Sequence, residues 1–416
     1  MIRKLTYGAF LIGLVFLGMV AQAGSYLLAL PSLASWGESA DDDDASLSRR
    51  GPHDVGIRSV SSGEAPLALT IWYPAETGDA DISIDYSYGI NMFGPDGSLA
   101  LGTYQGRATP AAAFDLTAAP YPMVVLSHGF AITSSSYAWL AEHLASHGMV
   151  VVAPQHGESL DPGRLWRSTV ERPADVLTVL SWVDAQVDDD DALQQLIDSQ
   201  TVAVVGHSYG GYTALAAAGA RLDTASFQAT CDTAYEDDDP VTFLCDAVLP
   251  KVDDMAERAG LGEVPSGLWP TVADPRVDAI VSIAGDAAVI GRTGLGEITM
   301  PVMAIGGTAD VDSPFRWGTE LTYEHVASTN KVEIGFEGGA HMLFAGECDS
   351  VRRIMSLVSL GFCSDSAWDR GQAHDLVKHY VTSFLEAELK QNRMASEELK
   401  PGGPRPQGVT YRAEGY

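Results

Sequence analysis

Short apolar runs alternate with amphipathic segments along most of the chain. Continuous apolar runs such as Tyr121–Gly129 and Thr201–Ser208 are typical of parallel strands that are buried on both faces. Segments such as Ser136–Gly148, which ends in a glycine, have the period of a helix that packs on one side. Strands that alternate with helices predict a mostly parallel sheet with helical crossovers, and therefore an α/β fold.

The order of the predicted elements follows from these patterns. Strands are predicted at Leu67–Pro74, Asp81–Gly89, Tyr121–Gly129, Met149–Pro154, Thr201–Ser208, Val277–Gly285, Met300–Gly307 and Lys331–Gly339. Helices are predicted at Ser136–Gly148, at Arg172–Val187 with Pro173 in the first turn, at Tyr209–Ala220 and at Ala367–Lys390.

Three segments fall outside the alternating pattern. About fifty residues without a strand pattern precede Val277. They predict an insertion at about residues 223–273 that forms a cap over the functional site of the domain. The compact domain is predicted to span residues 53–392, after an acidic linker at residues 31–52. The Pro/Gly-rich residues 393–416 are predicted to form a disordered tail.

The first residues predict export. Arg3 and Lys4 precede a run without a charged residue up to Glu38, as in a secretory signal peptide or a membrane anchor at residues 1–30. Ala21-Gln22-Ala23 is an acceptable cleavage site, but the apolar run continues beyond it. Either interpretation places the rest of the chain outside the cytoplasm, secreted, periplasmic or anchored to the membrane.

The composition of the chain argues against some classes of binding partner. The formal net charge of −30 repels phosphates, so nucleic acid is not an expected partner. A hydrophobic content of 46% is enough for a large core. No set of histidines and carboxylates has the spacing of metal ligands, so neither a metal nor a cofactor is expected.

Four cysteines agree with an oxidising compartment. Their spacing favours the local disulfides Cys231–Cys245 and Cys348–Cys363, although the two other pairings stay open. Zinc binding is the competing interpretation, and the absence of a C-x-x-C pair argues against it.

A candidate nucleophile lies in the segment Gly206-His207-Ser208-Tyr209-Gly210. The motif G-x-S-x-G is common by chance, but here it joins a predicted strand to a predicted helix. In that setting it forms a sharp turn that presents the serine hydroxyl above the sheet, and larger side chains in place of the two glycines would clash.

Serine needs a base, and the base needs a carboxylate. Among the histidines after Ser208, only His341 follows a predicted strand directly, in a glycine-rich loop. Asp310 follows the strand Met300–Gly307 and is the predicted acid. Asp286, at the end of the preceding strand, is the rival, and Asp312 is predicted to begin the next helix instead.

An oxyanion would be bound by two backbone amides. The predicted donors are the N–H groups of Tyr209, directly after the nucleophile, and of Phe130, in the loop after an early strand. His128 and His207 flank these positions and are predicted to be packing and hydrogen-bonding residues rather than catalytic ones.

The sequence resembles a known group of α/β-hydrolases, the dienelactone hydrolase-like proteins akin to platelet-activating factor acetylhydrolase. The resemblance spans about Pro66 to Leu389 and rests on the motifs IWYPA, PMVVLSHGF, LASHGMVVVAPQH, ERPADV, GHSYGGYTAL, DPRVDAIVSIAG and GGAHMLFAGEC. It implies the α/β-hydrolase fold and metal-free carboxylic ester hydrolysis through an acyl-enzyme. The family name does not carry the substrate. Dienelactone hydrolases proper use a cysteine nucleophile, whereas this chain has Ser208, so the resemblance does not imply lactone ring opening. In the acetylhydrolase branch the acid follows the earlier strand, where this chain has Asp286.

The predicted function is therefore an exported serine ester hydrolase with a small-molecule, lipid or polymer ester as its substrate. A peptidase or acyltransferase that uses the same triad is one alternative. A non-catalytic binding protein of the same fold is another, although such proteins typically lose a triad member.

Overall fold

The computed structural model describes residues 47–62, 67–76, 83–92, 94, 97–189, 191–346, 350–351, 363, 365–403 and 405–416. The predicted leader, the acidic linker up to residue 46 and Cys348 lie outside these ranges. Among the described residues, no helix is both long and apolar enough to span a membrane.

From β6 to β11, one or more α-helices lie between each described strand and the next. The strands are β1 (Asp54–Ser61), β2 (Ala68–Ala75), β3 (Ile84–Asn91), β4 (Ser98–Gly106), β5 (Thr109–Pro110), β6 (Tyr121–Ser127), β7 (Val150–Gln155), β8 (Ile197–His207), β9 (Val277–Ile283), β10 (Val302–Gly307), β11 (Lys331–Phe336), β12 (Ser350–Val351) and β13 (Val409–Glu414). The helices are α1 (Ala138–Ser146), α2 (Leu165–Asp189), α3 (Asp191–Leu196), α4 (Tyr209–Ala217), α5 (Thr224–Glu236), α6 (Thr242–Val248), α7 (Val252–Arg258), α8 (Gly291–Leu295), α9 (Thr319–His325), α10 (Arg370–Lys390) and α11 (Arg393–Glu398).

Ten of the described strands form the main sheet in the order β13-β11-β10-β9-β8-β6-β7-β2-β1-β5, beside a small sheet β12-β4-β3. From β7 to β11 every neighbouring pair is parallel, as the continuous apolar runs predict. Alternate residues of β6 enter two separate cores. Met123 and Val125 pack with α2 and α4, whereas Val124 and Leu126 pack with α1 and α10. The sheet is thus covered by helices on both faces, and the predicted strands are present within a few residues.

The prediction of a disordered tail is wrong. Residues 393–398 form α11, and β13 pairs antiparallel with β11. Arg412 on β13 forms an ion pair with the buried Glu333 of β11, with a distance of 2.7 Å from Nε to Oε1. The Pro/Gly-rich composition is confined to residues 401–408. The sequence VTYRAE after it is rich in β-branched and aromatic residues and pairs with the open edge of β11.

The helix around Pro173 also differs from its prediction. It begins at Leu165, so Pro173 lies in its interior rather than in its first turn. Proline lacks the N–H that would bind the carbonyl four residues earlier, which belongs to Thr169. The hydroxyl of Tyr212 donates to that carbonyl at 2.7 Å instead, and this bond ties α4 to α2.

The predicted insertion contains the three helices α5, α6 and α7. The predicted disulfide Cys231–Cys245 is present and joins α5 to α6, with both cysteines buried. The second predicted disulfide involves Cys348, which lies outside the described residues.

Replacement of both Cys231 and Cys245 by alanine is expected to lower the free energy of unfolding by about 3 kcal/mol, because the cross-link closes a loop of about fifteen residues. Urea denaturation of the double variant and of the wild type, followed by circular dichroism, measures the difference. Equal unfolding free energies would show that the cross-link contributes nothing to stability.

Candidate active site

Ser208 lies in a strained turn between β8 and α4. Its φ of 58° and ψ of −126° are uncommon for a residue with a side chain. The turn needs glycine on both sides. A Cβ at Gly206 would come within 2.1 Å of the carbonyl oxygen of Gly210, and one at Gly210 within 2.0 Å of that of Ser127. The motif therefore has the close backbone packing that its two glycines predict.

Ser208, His341 and Asp310 form a continuous chain of hydrogen bonds. His341 Nε2 lies 2.8 Å from Ser208 Oγ, and His341 Nδ1 lies 2.7 Å from Asp310 Oδ2. The second carboxylate oxygen of Asp310 accepts from the backbone N–H groups of Asp312 and Ser313 at 2.9 and 2.8 Å. Asp310 is therefore held at both oxygens, with one of them directed at the imidazole.

The two other carboxylates considered as the catalytic acid, Asp286 and Asp312, lie in different surroundings. Asp286 accepts a hydrogen bond from Ser313 Oγ at 2.7 Å and lines the same cavity as Ser208. Burial raises the pKa of Asp286 to about 7, against the smaller opposing effect of the Ser313 hydrogen bond. Asp312 is exposed at the rim. The structure thus brings Asp310, rather than Asp286, to His341.

The burial of His341 and the carboxylates around it determine its pKa. Burial alone would lower the pKa of His341, because it penalises the charged imidazolium. The adjacent Asp310 carboxylate, with smaller contributions from Asp312 and Asp286, outweighs burial and raises the pKa above its ordinary value. The site therefore stabilises the imidazolium that forms when His341 takes a proton.

A cavity of about 60 Å³ opens above Ser208. Phe130 and Tyr209, the two predicted oxyanion donors, line it together with the nucleophile, and their rings are 6.3 Å apart. Phe243 and Leu244 of α6 also line it, so one helix of the predicted insertion contributes to the wall of this cavity.

His128 and His207 are buried and hydrogen-bonded on both ring nitrogens. His207 contacts the hydroxyl of Tyr137 at 2.7 Å and the carbonyl of His341 at 3.1 Å. His128 contacts the Gly129 carbonyl and the backbone N–H of His156. Burial lowers the pKa of both histidines, so they remain neutral supports beneath the turn.

A buried ion pair that no sequence pattern predicts lies beside the candidate oxyanion loop. Arg172 and Glu158 are 1% and 8% exposed at their side chains. The motif ERPADV contains Arg172 next to a proline, but Glu171 and Asp175 are charged as well, so the motif does not single out Arg172. Its partner Glu158 lies in a loop, and no periodic pattern connects the two.

Three ligand-type side chains meet at the site. Single donor atoms of Asp310, Asp312 and His341 lie within 4.8 Å of one another. Both ring nitrogens of His341 are already hydrogen-bonded, to Ser208 and to Asp310. Metal coordination by this set would therefore break the chain of hydrogen bonds described above.

Comparisons with known proteins agree with the motifs. The family described as chlorophyllase matches residues 112–240, and the family described as platelet-activating factor acetylhydrolase, isoform II, matches residues 48–160. Chlorophyllase-1 of Arabidopsis thaliana is 35% identical over 101 residues, which are 24% of this chain and 30% of that protein. Cutinase est2 of Thermobifida alba is 34% identical over 103 residues, which are 25% of this chain and 32% of that protein.

The chain thus spans less than a third of the length of these relatives. The predicted resemblance to the platelet-activating factor acetylhydrolase group is confirmed by the matched family, and the sheet order and crossovers are those of an α/β-hydrolase. The chain has the α/β-hydrolase fold.

Proposed function

We propose that this α/β-hydrolase is a serine carboxylic ester hydrolase that works through an acyl-enzyme. The observation that carries the proposal is the hydrogen-bonded chain from Ser208 through His341 to Asp310, at a strained turn that opens into a covered cavity. The matched chlorophyllases, cutinases and platelet-activating factor acetylhydrolases support ester hydrolysis as the reaction class.

In the acylation step, Ser208 Oγ attacks the ester carbonyl carbon while His341 Nε2 takes the hydroxyl proton. The carbonyl oxygen becomes an oxyanion, which accepts hydrogen bonds from the backbone N–H groups of Phe130 and Tyr209. The carbon–oxygen bond to the alcohol then breaks, and His341 returns the proton to the departing alkoxide. Asp310 accepts the Nδ1 proton of His341 and keeps the imidazole oriented throughout.

Water completes the cycle by the same route. His341 takes a proton from a water molecule, whose oxygen attacks the acyl carbon of the Ser208 ester. Collapse of the second oxyanion releases the carboxylic acid and restores the serine hydroxyl. Each proton that leaves a nucleophile is thus returned to a leaving group, and no metal or cofactor takes part in these steps.

The protein acts outside the cytoplasm on a small-molecule, lipid or polymer ester. Export is supported by the basic and apolar N-terminal sequence and by the Cys231–Cys245 disulfide, since disulfides persist mainly in oxidising compartments. The N-terminal segment serves as a cleaved signal or as a membrane anchor.

A panel of nitrophenyl esters from acetate to palmitate tests the proposal, with the Ser208→Ala variant in parallel. Serine-dependent hydrolysis of at least one ester is the expected result. A peptide nitroanilide and an added alcohol acceptor distinguish the two alternatives that share the triad. Faster cleavage of the anilide would indicate a peptidase, and a predominance of transferred acyl product would indicate an acyltransferase.

The rate is expected to rise with pH across the neutral range. His341 accepts a proton only when it is neutral, and its raised pKa means that the neutral form accumulates at higher pH than for a free histidine. Measurement of kcat/KM from pH 5 to 10 is expected to show a slope of about one on logarithmic axes below that pKa. A profile that is flat from pH 6 upward would contradict the raised pKa.

A further inference from the structure

The loop that carries Phe130 is bound on both sides by the Arg172–Glu158 pair. Arg172 donates to the carbonyl of His128 at 2.6 Å and to that of Gly129 at 3.1 Å. Glu158 accepts from the backbone N–H of Ala131 at 2.7 Å. The residue between these contacts is Phe130, which lines the cavity above Ser208.

These contacts determine the direction of the backbone N–H group of Phe130. The carbonyl of Gly129 and the N–H of Phe130 belong to the same planar peptide unit and point in opposite directions. The Gly129 carbonyl contacts both Arg172 and the ring of His128, the latter at 2.8 Å. A peptide plane held in this way at its oxygen cannot turn its N–H away without breaking both contacts.

The Arg172–Glu158 ion pair is buried and makes several directional hydrogen bonds. Arg172 Nε lies 3.0 Å from Glu158 Oε2, and a second contact joins Nη2 to Oε1. Ser168 Oγ donates to Glu158 Oε2 at 2.6 Å. Burial alone would raise the pKa of Glu158, but Arg172 outweighs it and lowers the pKa to about 2. Buried ion pairs contribute little net stability, so the directional hydrogen bonds are the main gain from this one.

The same turn of α2 also reaches the second candidate donor residue. The hydroxyl of Thr169 is hydrogen-bonded to that of Tyr209, and Arg172 lies 5.8 Å from the centre of the Tyr209 ring. The carbonyl of Thr169 accepts from Tyr212 in α4, at the place that Pro173 leaves free. One helical turn therefore contacts both the loop that carries Phe130 and the side chain of Tyr209.

We propose that Arg172 and Glu158 are positioning residues that hold the Phe130 amide in register with the Tyr209 amide as a preformed oxyanion hole. The proposal rests on the proposed ester hydrolysis, because only that reaction creates the oxyanion. It predicts that disruption of the pair lowers the rate of the chemical step more than it weakens substrate binding.

Glu158→Gln and Arg172→Lys test this role. Each is expected to lower kcat about 10- to 100-fold with KM changed less than about threefold, a smaller loss than removal of a whole oxyanion donor. The affinity for a trifluoromethyl ketone, which forms a hemiketal oxyanion with serine, is expected to fall in the same proportion. Binding of a planar substrate analogue is expected to stay unchanged.

Glu333→Gln is the control, because it removes the charge of a buried glutamate from an ion pair far from the candidate site, with the partly exposed Arg412 at the edge of the sheet. Its unfolding midpoint is expected to fall while kcat and the ketone affinity stay at wild-type values. A loss of kcat in the control as large as in Glu158→Gln would mean that general destabilisation, rather than positioning, accounts for both.

A folded Glu158→Gln variant with kcat and ketone affinity within about twofold of wild type would overturn the positioning role and leave the proposed hydrolysis intact. Should Glu158→Gln fail to fold, Ser168→Ala keeps the pair and removes a single bond, and a loss of about 3- to 10-fold in kcat is expected. An unchanged kcat there overturns the role equally. A wild-type protein without any esterase activity would instead overturn the proposed function itself.

Discussion

Ser208→Ala is expected to abolish ester hydrolysis, with kcat lower by about 10³–10⁶-fold, because triad members act as a unit. The variant should fold normally. Serine and alanine both carry a Cβ at the φ of 58°, so the exchange adds no new backbone strain. A fluorophosphonate probe, which reacts with an activated serine, should label the wild type at Ser208 and leave the variant unlabelled.

Ser313 offers a matched control for this experiment. It lines the same cavity, but its hydroxyl donates to Asp286 rather than to a histidine. Ser313→Ala should therefore keep most of the activity and all of the labelling. Labelling that persists in Ser208→Ala, or disappears in Ser313→Ala, would remove Ser208 from the role of nucleophile.

Asp310→Asn is expected to lower kcat by about 10⁴, because the amide stabilises the wrong imidazole tautomer. A carboxylate accepts the Nδ1 proton and leaves Nε2 free to accept from Ser208. An asparagine that donates to Nδ1 would place the proton on Nε2, where the base is needed. The measurement is kcat and KM for one nitrophenyl ester, together with the unfolding midpoint to show that the variant is folded.

Asp286→Asn is the informative counterpart in the same cavity. Asp286 accepts from Ser313 and has a pKa raised to about 7 by burial, so much of it is already neutral near neutral pH. The Asp286→Asn variant should therefore lose far less activity than Asp310→Asn, and the change should fall mainly on KM. A large kcat loss in Asp286→Asn, combined with a mild effect in Asp310→Asn, would assign the acid to the earlier strand.

Local sequence patterns were sufficient for the parallel strands and for the candidate nucleophile. A buried strand is a continuous apolar run, and the turn at Ser208 requires glycine at Gly206 and Gly210 for steric reasons that any sequence must satisfy. Chain order and strand ends also limit the acid to Asp310, to Asp286 at the end of the preceding strand, or to Asp312. These features depend on contacts over a few residues or on one general rule of topology.

The remaining features depend on contacts between distant parts of the chain. The interior position of Pro173 in its helix cannot be predicted locally, because the compensating hydroxyl of Tyr212 is 43 residues from the carbonyl that it binds. The strand at Val409–Glu414 was missed, since its partner edge exists only after β11 has joined the sheet. The pairing of Arg172 with Glu158 has no periodicity at all. Such contacts satisfy buried polar groups, and the fold must be known before those groups can be counted.

The two outermost strands of the main sheet have a consequence for solubility. A sheet edge with free backbone groups is a template on which another molecule can add a strand. At one edge β5 has only two residues, and one of them, Pro110, has no N–H to offer. At the other edge β13 carries Arg412 and Glu414, which are paired with charges on β11 and place polar side chains along the margin. Both margins therefore resist strand addition, so among the described strands neither edge offers a ready template for pairing with a second copy of this acidic protein.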